Sequence, residues 1–253
     1  RIFERHGKHR SAANVLIAAL KDFPGSALHE DIELELASAQ LGDGNFAAAG
    51  EVLARLEAGG ATSASRDHVA YLRAYALHRA KKYAESLEAC AKLKESFPRG
   101  RYVKDAAQLE AENKLLAGDF SAARAAYEGY LDTFGKELDG PSTLKARFRA
   151  AQALYLDRNL AGARAELESL KAGDLGPEAV KSFHDDAVFA PYRYLLGDCA
   201  YQVKDYGRAG EELDAFLKER ETRGGGLEAE AADARFKLAH SLQLAGDLKS
   251  ARE

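Results

Sequence analysis

Three short clusters in this chain hold residue types that could do chemistry. Gly42-Asp43-Gly44-Asn45-Phe46-Ala47 fits the spacing of a dinucleotide-binding turn with a terminal Ala. That chemistry needs a preceding strand and a βαβ unit to aim backbone amides at a pyrophosphate. His29-Glu30-Asp31, with Glu33 and Glu35, gathers potential metal ligands, but it lacks the second His one turn on that a zinc-protease helix requires. Acids at a helix start are also favoured by the helix dipole, which is the simpler reading. His184-Asp185-Asp186 could contribute to a metal site, yet no further cluster lies near it in sequence. No nucleophile elbow, cysteine–histidine signature or phosphate loop is present. The reading is therefore of a non-enzyme, with no catalytic residue, no metal and no cofactor assigned.

The elements that would have to position such residues are helices. The 253 residues include only five prolines, and alanine, leucine, glutamate, lysine and arginine dominate, a composition that favours helix throughout. Sheet is expected to be absent. The net charge of −4 arises from 36 basic and 40 acidic side chains interleaved along the chain, which offers no basic patch to nucleic acid or an anionic membrane. No run of 18 apolar residues exists to span a bilayer. Cys90 and Cys199 sit at apolar helical positions, where free cysteine packs as a small hydrophobe.

The dominant pattern is a repeat: a turn, an aromatic or Leu, two residues, then a small residue. It runs Gly44-Asn45-Phe46 to Ala49, Lys81-Lys82-Tyr83 to Ser86, Gly118-Asp119-Phe120 to Ala123, Arg158-Asn159-Leu160 to Ala163, Lys204-Asp205-Tyr206 to Ala209 and Gly246-Asp247-Leu248 to Ala251. An earlier copy leads from Gly7 through His9 to Ala12. The steps between the small residues are 37 for the first four copies, then 40, 46 and 42. A period of this length predicts a solenoid, in which one helical hairpin buries its apolar face only by stacking on neighbours.

Each turn is expected to end one helix and cap the next. Asn45, Asp119, Asn159, Asp205 and Asp247 stand where a side chain can accept from the unpaired amides of a first helical turn. The second helix of each pair then presents one face at a spacing of four and three: Ala12, Leu16, Ala19; Ala49, Leu53, Leu56; Ser86, Cys90, Leu93; Ala123, Tyr127, Tyr130; Ala163, Leu167, Leu170; Ala209, Leu213, Phe216.

With these residues in place the chain resembles the tetratricopeptide repeat family over essentially its whole length. Leu196-Gly197, Tyr206, Ala209 and Leu213 reproduce the family pattern nearly whole, and Pro24 and Pro98 match its closing proline. The opening Trp is missing, and Ala37, Ala74, Ala111, Ala151 and Ala239 replace the first-helix Gly. The predicted fold is all-α, a right-handed superhelical solenoid of antiparallel helix pairs over 1–253, with about seven repeats and the first and last truncated. An insertion spans 171–189, where Gly176-Pro177 breaks and restarts helix, and a flexible loop spans 221–227. Arg1 and Glu253 fall inside repeats, so a longer protein is expected. Long repeats with Phe-Pro links, as in Phe97-Pro98, resemble bacterial cell-envelope members such as outer-membrane assembly lipoproteins and Tol-Pal coordinators. That likeness favours a periplasmic or outer-membrane location over a cytoplasmic one.

The resemblance also implies that exposed residues of the first helices line a partner-binding groove. They are Tyr71, Tyr75, His78, Arg79, Gln108, Glu112, Phe148, Gln152, Tyr155, Tyr194, Asp198, Tyr201, Phe236 and His240. Aromatic side chains with interspersed polar groups suit a peptide or protein partner. The Lys and Asn pairing by which chaperone-binding members hold a C-terminal carboxylate is missing. The expected function is a non-catalytic interaction scaffold; the alternatives are a regulatory or substrate-recruiting arm of a larger enzyme or signalling protein, and a self-assembly module stacking through its terminal repeats.

Overall fold

The computed structural model describes residues 8–59, 65–222 and 224–244. Among the described residues there are thirteen α-helices, three short 3-10 turns and no strand. The last copy of the repeat, from Gly246 to Ala251, and both chain ends lie outside them.

The chain forms two compact units, Arg1–Asp119 and Phe120–Glu253. The first holds α1 (His9–Asp22), α2 (His29–Gly42), α3 (Phe46–Ala58), α4 (Arg66–Arg79), α5 (Tyr83–Ser96) and α6 (Val103–Leu116). Each packs on the next, and the first helices α4 and α6 also touch. The second holds α7 (Phe120–Phe134), α8 (Gly140–Leu156), α9 (Leu160–Ser169), α10 (Pro177–Asp185), α11 (Tyr192–Gln202), α12 (Tyr206–Thr222) and α13 (Glu228–Leu244). Here α8, α11 and α13 are the first helices, stacked side by side.

Among the described residues the repeated turn is one physical device used five times. The amides of Asn45, Lys82, Asp119, Asn159 and Asp205 donate to the carbonyls of Gln40, Leu77, Lys114, Leu154 and Ala200 at 2.8–3.0 Å, the closing bond of a Schellman cap. Each reaches back across a residue of positive φ: Gly44 at 79°, Lys81 at 61°, Gly118 at 84°, Arg158 at 64° and Lys204 at 64°. At Asn45, Asn159 and Asp205 the same polar residue also caps the following helix. The Asn45 Oδ1 accepts from the Ala48 amide, Asn159 from Gly162, and Asp205 from Arg208.

A non-glycine side chain in the left-handed region is strained by about 1–2 kcal/mol, and part of that is recoverable. Lys81→Gly, Arg158→Gly and Lys204→Gly should each raise unfolding free energy by about 0.5–1 kcal/mol, the loss of strain exceeding the extra freedom of the unfolded chain. Urea denaturation of the single and triple variants checks this, with near additivity expected for such separated sites.

The predicted second-helix face is the core. Ala49, Leu53, Ser86, Cys90, Ala123, Ala163, Leu167, Ala209 and Leu213 are fully buried, and Leu56, Leu93, Tyr127, Tyr130, Leu170 and Phe216 nearly so. A Cβ on Gly197 would lie 2.8 Å from Leu213 Cγ, so only glycine permits that close helix crossing. Cys90 and Cys199 are buried and free. Burial, the largest influence, pushes both thiols up to about 12, which keeps them unreactive at neutral pH.

Helix stops and restarts at the Gly176-Pro177 step. A 3-10 turn at Ala172–Leu175 leads through Gly176, at φ 95°, into α10 with Pro177 in its first turn, and a second 3-10 turn at Ala187–Phe189 returns the chain to α11. The whole segment packs on α8.

Candidate partner-binding groove

In the first unit, α4 carries most of the predicted groove residues, and the structure assembles them into a ladder of rings. Tyr71 stacks on Tyr102 at 5.1 Å and 9°, and on Tyr75 at 6.4 Å and 23°; His68 also stacks on Tyr102, at 5.1 Å and 12°. The Arg79 guanidinium lies 4.5 Å over the Phe46 ring and donates to Tyr75 Oη at 2.7 Å. Arg101 sits 5.4 Å from the Tyr102 ring. His78 is fixed by a polar relay: its Nδ1 donates to Asn113 Oδ1 at 2.8 Å, Asn113 Nδ2 donates to Ser86 Oγ, and the Ser86 hydroxyl donates to the Ala74 carbonyl. Gln108 is exposed and Glu112 half-buried on α6.

The ladder is cationic at its edges and hydroxylated along its length. Burial first, then the Asp105 charge, pushes the Tyr71 phenol up to about 12. Burial, opposed by Asp67, holds the His68 imidazole below its ordinary value. Tyr71 therefore remains a neutral hydrogen-bond donor at physiological pH. Arg79 is exposed while still anchored, an arrangement that keeps its side chain ordered for a ligand.

In the second unit the predicted residues meet around a buried ion pair that the sequence reading missed. Lys237 Nζ donates to Asp198 Oδ1 at 2.6 Å and to Asp233 Oδ2 at 2.5 Å. Tyr155 Oη donates to Asp198 Oδ2 at 2.5 Å, Gln202 to Asp198 Oδ1 at 3.2 Å, and Tyr194 Oη to Asp233 at 2.8 Å. The ammonium also lies 5.8 and 5.7 Å from the Tyr194 and Tyr201 rings, within cation–π range. Tyr201 Oη is 2.6 Å from His240 Nδ1, and Phe236 stacks on His240 at 6.1 Å. Burial, then the hydrogen bond to Asp198, drives the Tyr155 pKa upward. Burial alone would lower the Lys237 pKa, but its two carboxylate bonds outweigh burial and the net shift is upward.

Two predicted groove residues need correcting. Phe148 is fully buried because the insertion covers it, with Phe189 at 5.2 Å and Tyr192 at 6.4 Å from its ring. Asp198 is 2% exposed because Lys237, Tyr155 and Gln202 enclose it. Neither presents a surface to a partner. Gln152 is half-buried and accepts from Arg149 at 2.7 Å, whereas Phe236 is 66% exposed. Lys237 was not singled out by sequence, since its register holds Leu72, Leu109 and Leu195 but also the charged Glu35 and Arg149. Once the fold buries such a charge, it demands a partner.

Of the other clusters with chemical residue types, two are accounted for as structure and the third in part. Gly42 to Ala47 forms the inter-helix turn, and His29 to Glu35 lies in α2. Asp186 is taken by Lys145 at 2.8 Å and by the Val188 amide. No group of three or more potential metal ligands occurs among the described residues, and none of their helices is long and apolar enough to cross a membrane.

The tetratricopeptide repeat family model matches residues 1–66 and 109–180. The chain belongs to this family. A search of curated protein sequences found no match. Solved structures show the same tetratricopeptide architecture. A tetratricopeptide repeat protein from Parabacteroides merdae aligns at a TM-score of 0.62 and 14% identity, covering 98% of this chain and 89% of that one. The apo form of RapI aligns at 0.69 and 13% identity, covering 99% and 70%. NprR in complex with its cognate peptide NprX aligns at 0.55 and 13% identity, covering 97% and 75%. At these identities the likeness establishes the tetratricopeptide fold alone.

Proposed function

We propose that this chain is a non-catalytic scaffold that binds a peptide or protein along the face formed by its first helices. The observation that carries the reading is the ladder of Phe46, Arg79, Tyr75, Tyr71 and Tyr102: its tyrosines rest on the core of the first unit while remaining half-exposed, and an exposed guanidinium is ordered at its end. Tyr and Arg of this kind dominate binding energy at interfaces because they bring large contact area at low entropic cost. NprR, which shares the fold, has been solved with a cognate peptide, and that supports the same use here. An extended peptide with acidic and apolar residues suits the Arg79 and Arg101 edges of the ladder. The repeat pattern further favours the cell-envelope branch of the family.

The test is selection of peptides from a random display library on the intact chain, followed by titration against variants. Arg79→Ala should weaken the selected peptides by about tenfold, and Arg79→Ala with Tyr75→Ala by about a hundredfold. Selected peptides that bind the double variant as well as the parent, while both proteins melt together, would end the reading.

A further inference from the structure

The second unit contains a cavity that the groove does not use. It measures about 640 Å³ and is lined by His184, Asp185 and Ala187 of the insertion, Ala190 just after it, Phe216, Glu219 and Arg220 of α12, and Gly225, Gly226 and Leu227 beyond that helix. Its size is that of a small-molecule site. Both segments that depart most from the repeat meet here. Helix α9 stops after ten residues, where α12 runs for seventeen, and the insertion takes the place of the missing turns as one wall. The opposite wall is the Gly224-Gly225-Gly226 segment, whose residues have φ of 84°, 97° and 90° and are followed by Leu227 at 53°. The segment is fastened: Gly225 donates to the Arg220 carbonyl at 3.0 Å, and the Arg220 guanidinium bonds Gly226 O and Glu228. A leucine held in the left-handed region is strained, and here it turns its side chain onto the core beside Phe216.

The charges around the cavity do not cancel locally. Glu219 is paired with Arg193, and Arg220 with Glu228. Asp185 carries neither an ion pair nor a hydrogen bond, and His184 makes only a ring contact with Phe183. In the first unit, by contrast, the cavity of about 300 Å³ beside Phe97 has its acid, Glu57, engaged by Arg73 and Lys92. The larger cavity thus offers an apolar bed of Phe216, Ala187, Ala190 and Leu227 with one uncompensated carboxylate at its edge.

We propose that this cavity is a binding site for a small organic cation, an amine carrying an apolar or aromatic body. The body lies on Phe216 and Leu227, and the ammonium pairs with Asp185, with the His184 ring beside it. This proposal is independent of the groove, because no ladder residue and no residue around Lys237 lines the cavity.

Phenethylammonium is the probe, titrated calorimetrically into the full chain at neutral pH beside hydrocinnamate, its anionic counterpart of similar size, and N-acetyl-lysine methylamide, which presents the amine as a peptide side chain. Phenethylammonium should bind saturably with a Kd on the order of 1 mM, and hydrocinnamate at least about tenfold more weakly. Asp185→Asn should cost the cation about tenfold, and Ala187→Leu should abolish binding by filling the cavity. Both sites are exposed, so both variants should melt with the parent. Equal binding of the cation and the anion, tighter binding of the lysine derivative, no saturable binding, or indifference to Ala187→Leu would each overturn the proposal.

Discussion

Lys237→Met should destabilise the chain by about 3–5 kcal/mol, because it leaves the Asp198 carboxylate buried without its counter-charge. Asp198 and Lys237 side chains are only 3% and 11% exposed, so water cannot replace the lost ammonium. Tyr155 and Gln202 would remain as neutral donors, too few to hold a desolvated anion. Adding Asp198→Asn to Lys237→Met should recover most of the loss, since a neutral amide can keep the Tyr155 contact. Urea denaturation of the two single variants and the double variant reads the coupling directly, and additive losses would show that the pair is not the source. The pH dependence has a definite sign. The Lys237 pKa is raised above the ordinary lysine value of 10.5, so its stabilisation is complete below that pH and is lost as pH rises through the folded value. The gap between parent and Lys237→Met should therefore hold constant through neutral pH and narrow only in strongly alkaline solution.

Phe148→Ala should cost about 3–5 kcal/mol, the loss for a fully buried aromatic, and its effect should be local as well as global. The ring holds Phe189, which packs on Phe183, which in turn meets Tyr192 edge-on at 4.9 Å. Removing it takes the α8 member from the aromatic cluster that docks the insertion on α8. Beside the apolar contacts of Leu175 and Ala179, a further tie is the Lys145–Asp186 pair, more than a third exposed on each side, which is worth little on its own. Amides of α10 should then exchange hydrogen much faster than those of α8 in the same protein. Unchanged protection of α10 would show that the insertion docks through Leu175 and Ala179 instead. Loosening it would also open the cavity that His184 and Asp185 line, so amine binding and α10 protection should fall together.

Much of the fold was legible because its signals are local and repeated. A turn of the Lys204-Asp205 type must close with a positive φ at the first residue and a cap at the second, whatever surrounds it. The triplet at four-and-three spacing must face inward because a lone hairpin has nowhere else to bury it. These requirements act within a few residues or on the next repeat, and so they are written in the sequence. The groove was legible only as a register. Tyr71 and Phe148 occupy equivalent positions, yet Tyr71 joins a half-open ladder while Phe148 is sealed by an insertion that sequence could locate but not dock. Asp198 likewise sits in the register of Tyr75 and is closed off by a lysine 39 residues away.

The sequence by itself determined the repeat, its helix ends, its core face and the place where the repeat is interrupted, since each follows from local backbone chemistry and helical periodicity. Only the tertiary structure decided which groove side chains remain open, which charge finds a buried partner, and that the insertion and the glycine turn enclose a common cavity. Those outcomes depend on contacts between residues tens of positions apart, where desolvation and shape choose among arrangements that the local pattern leaves equal.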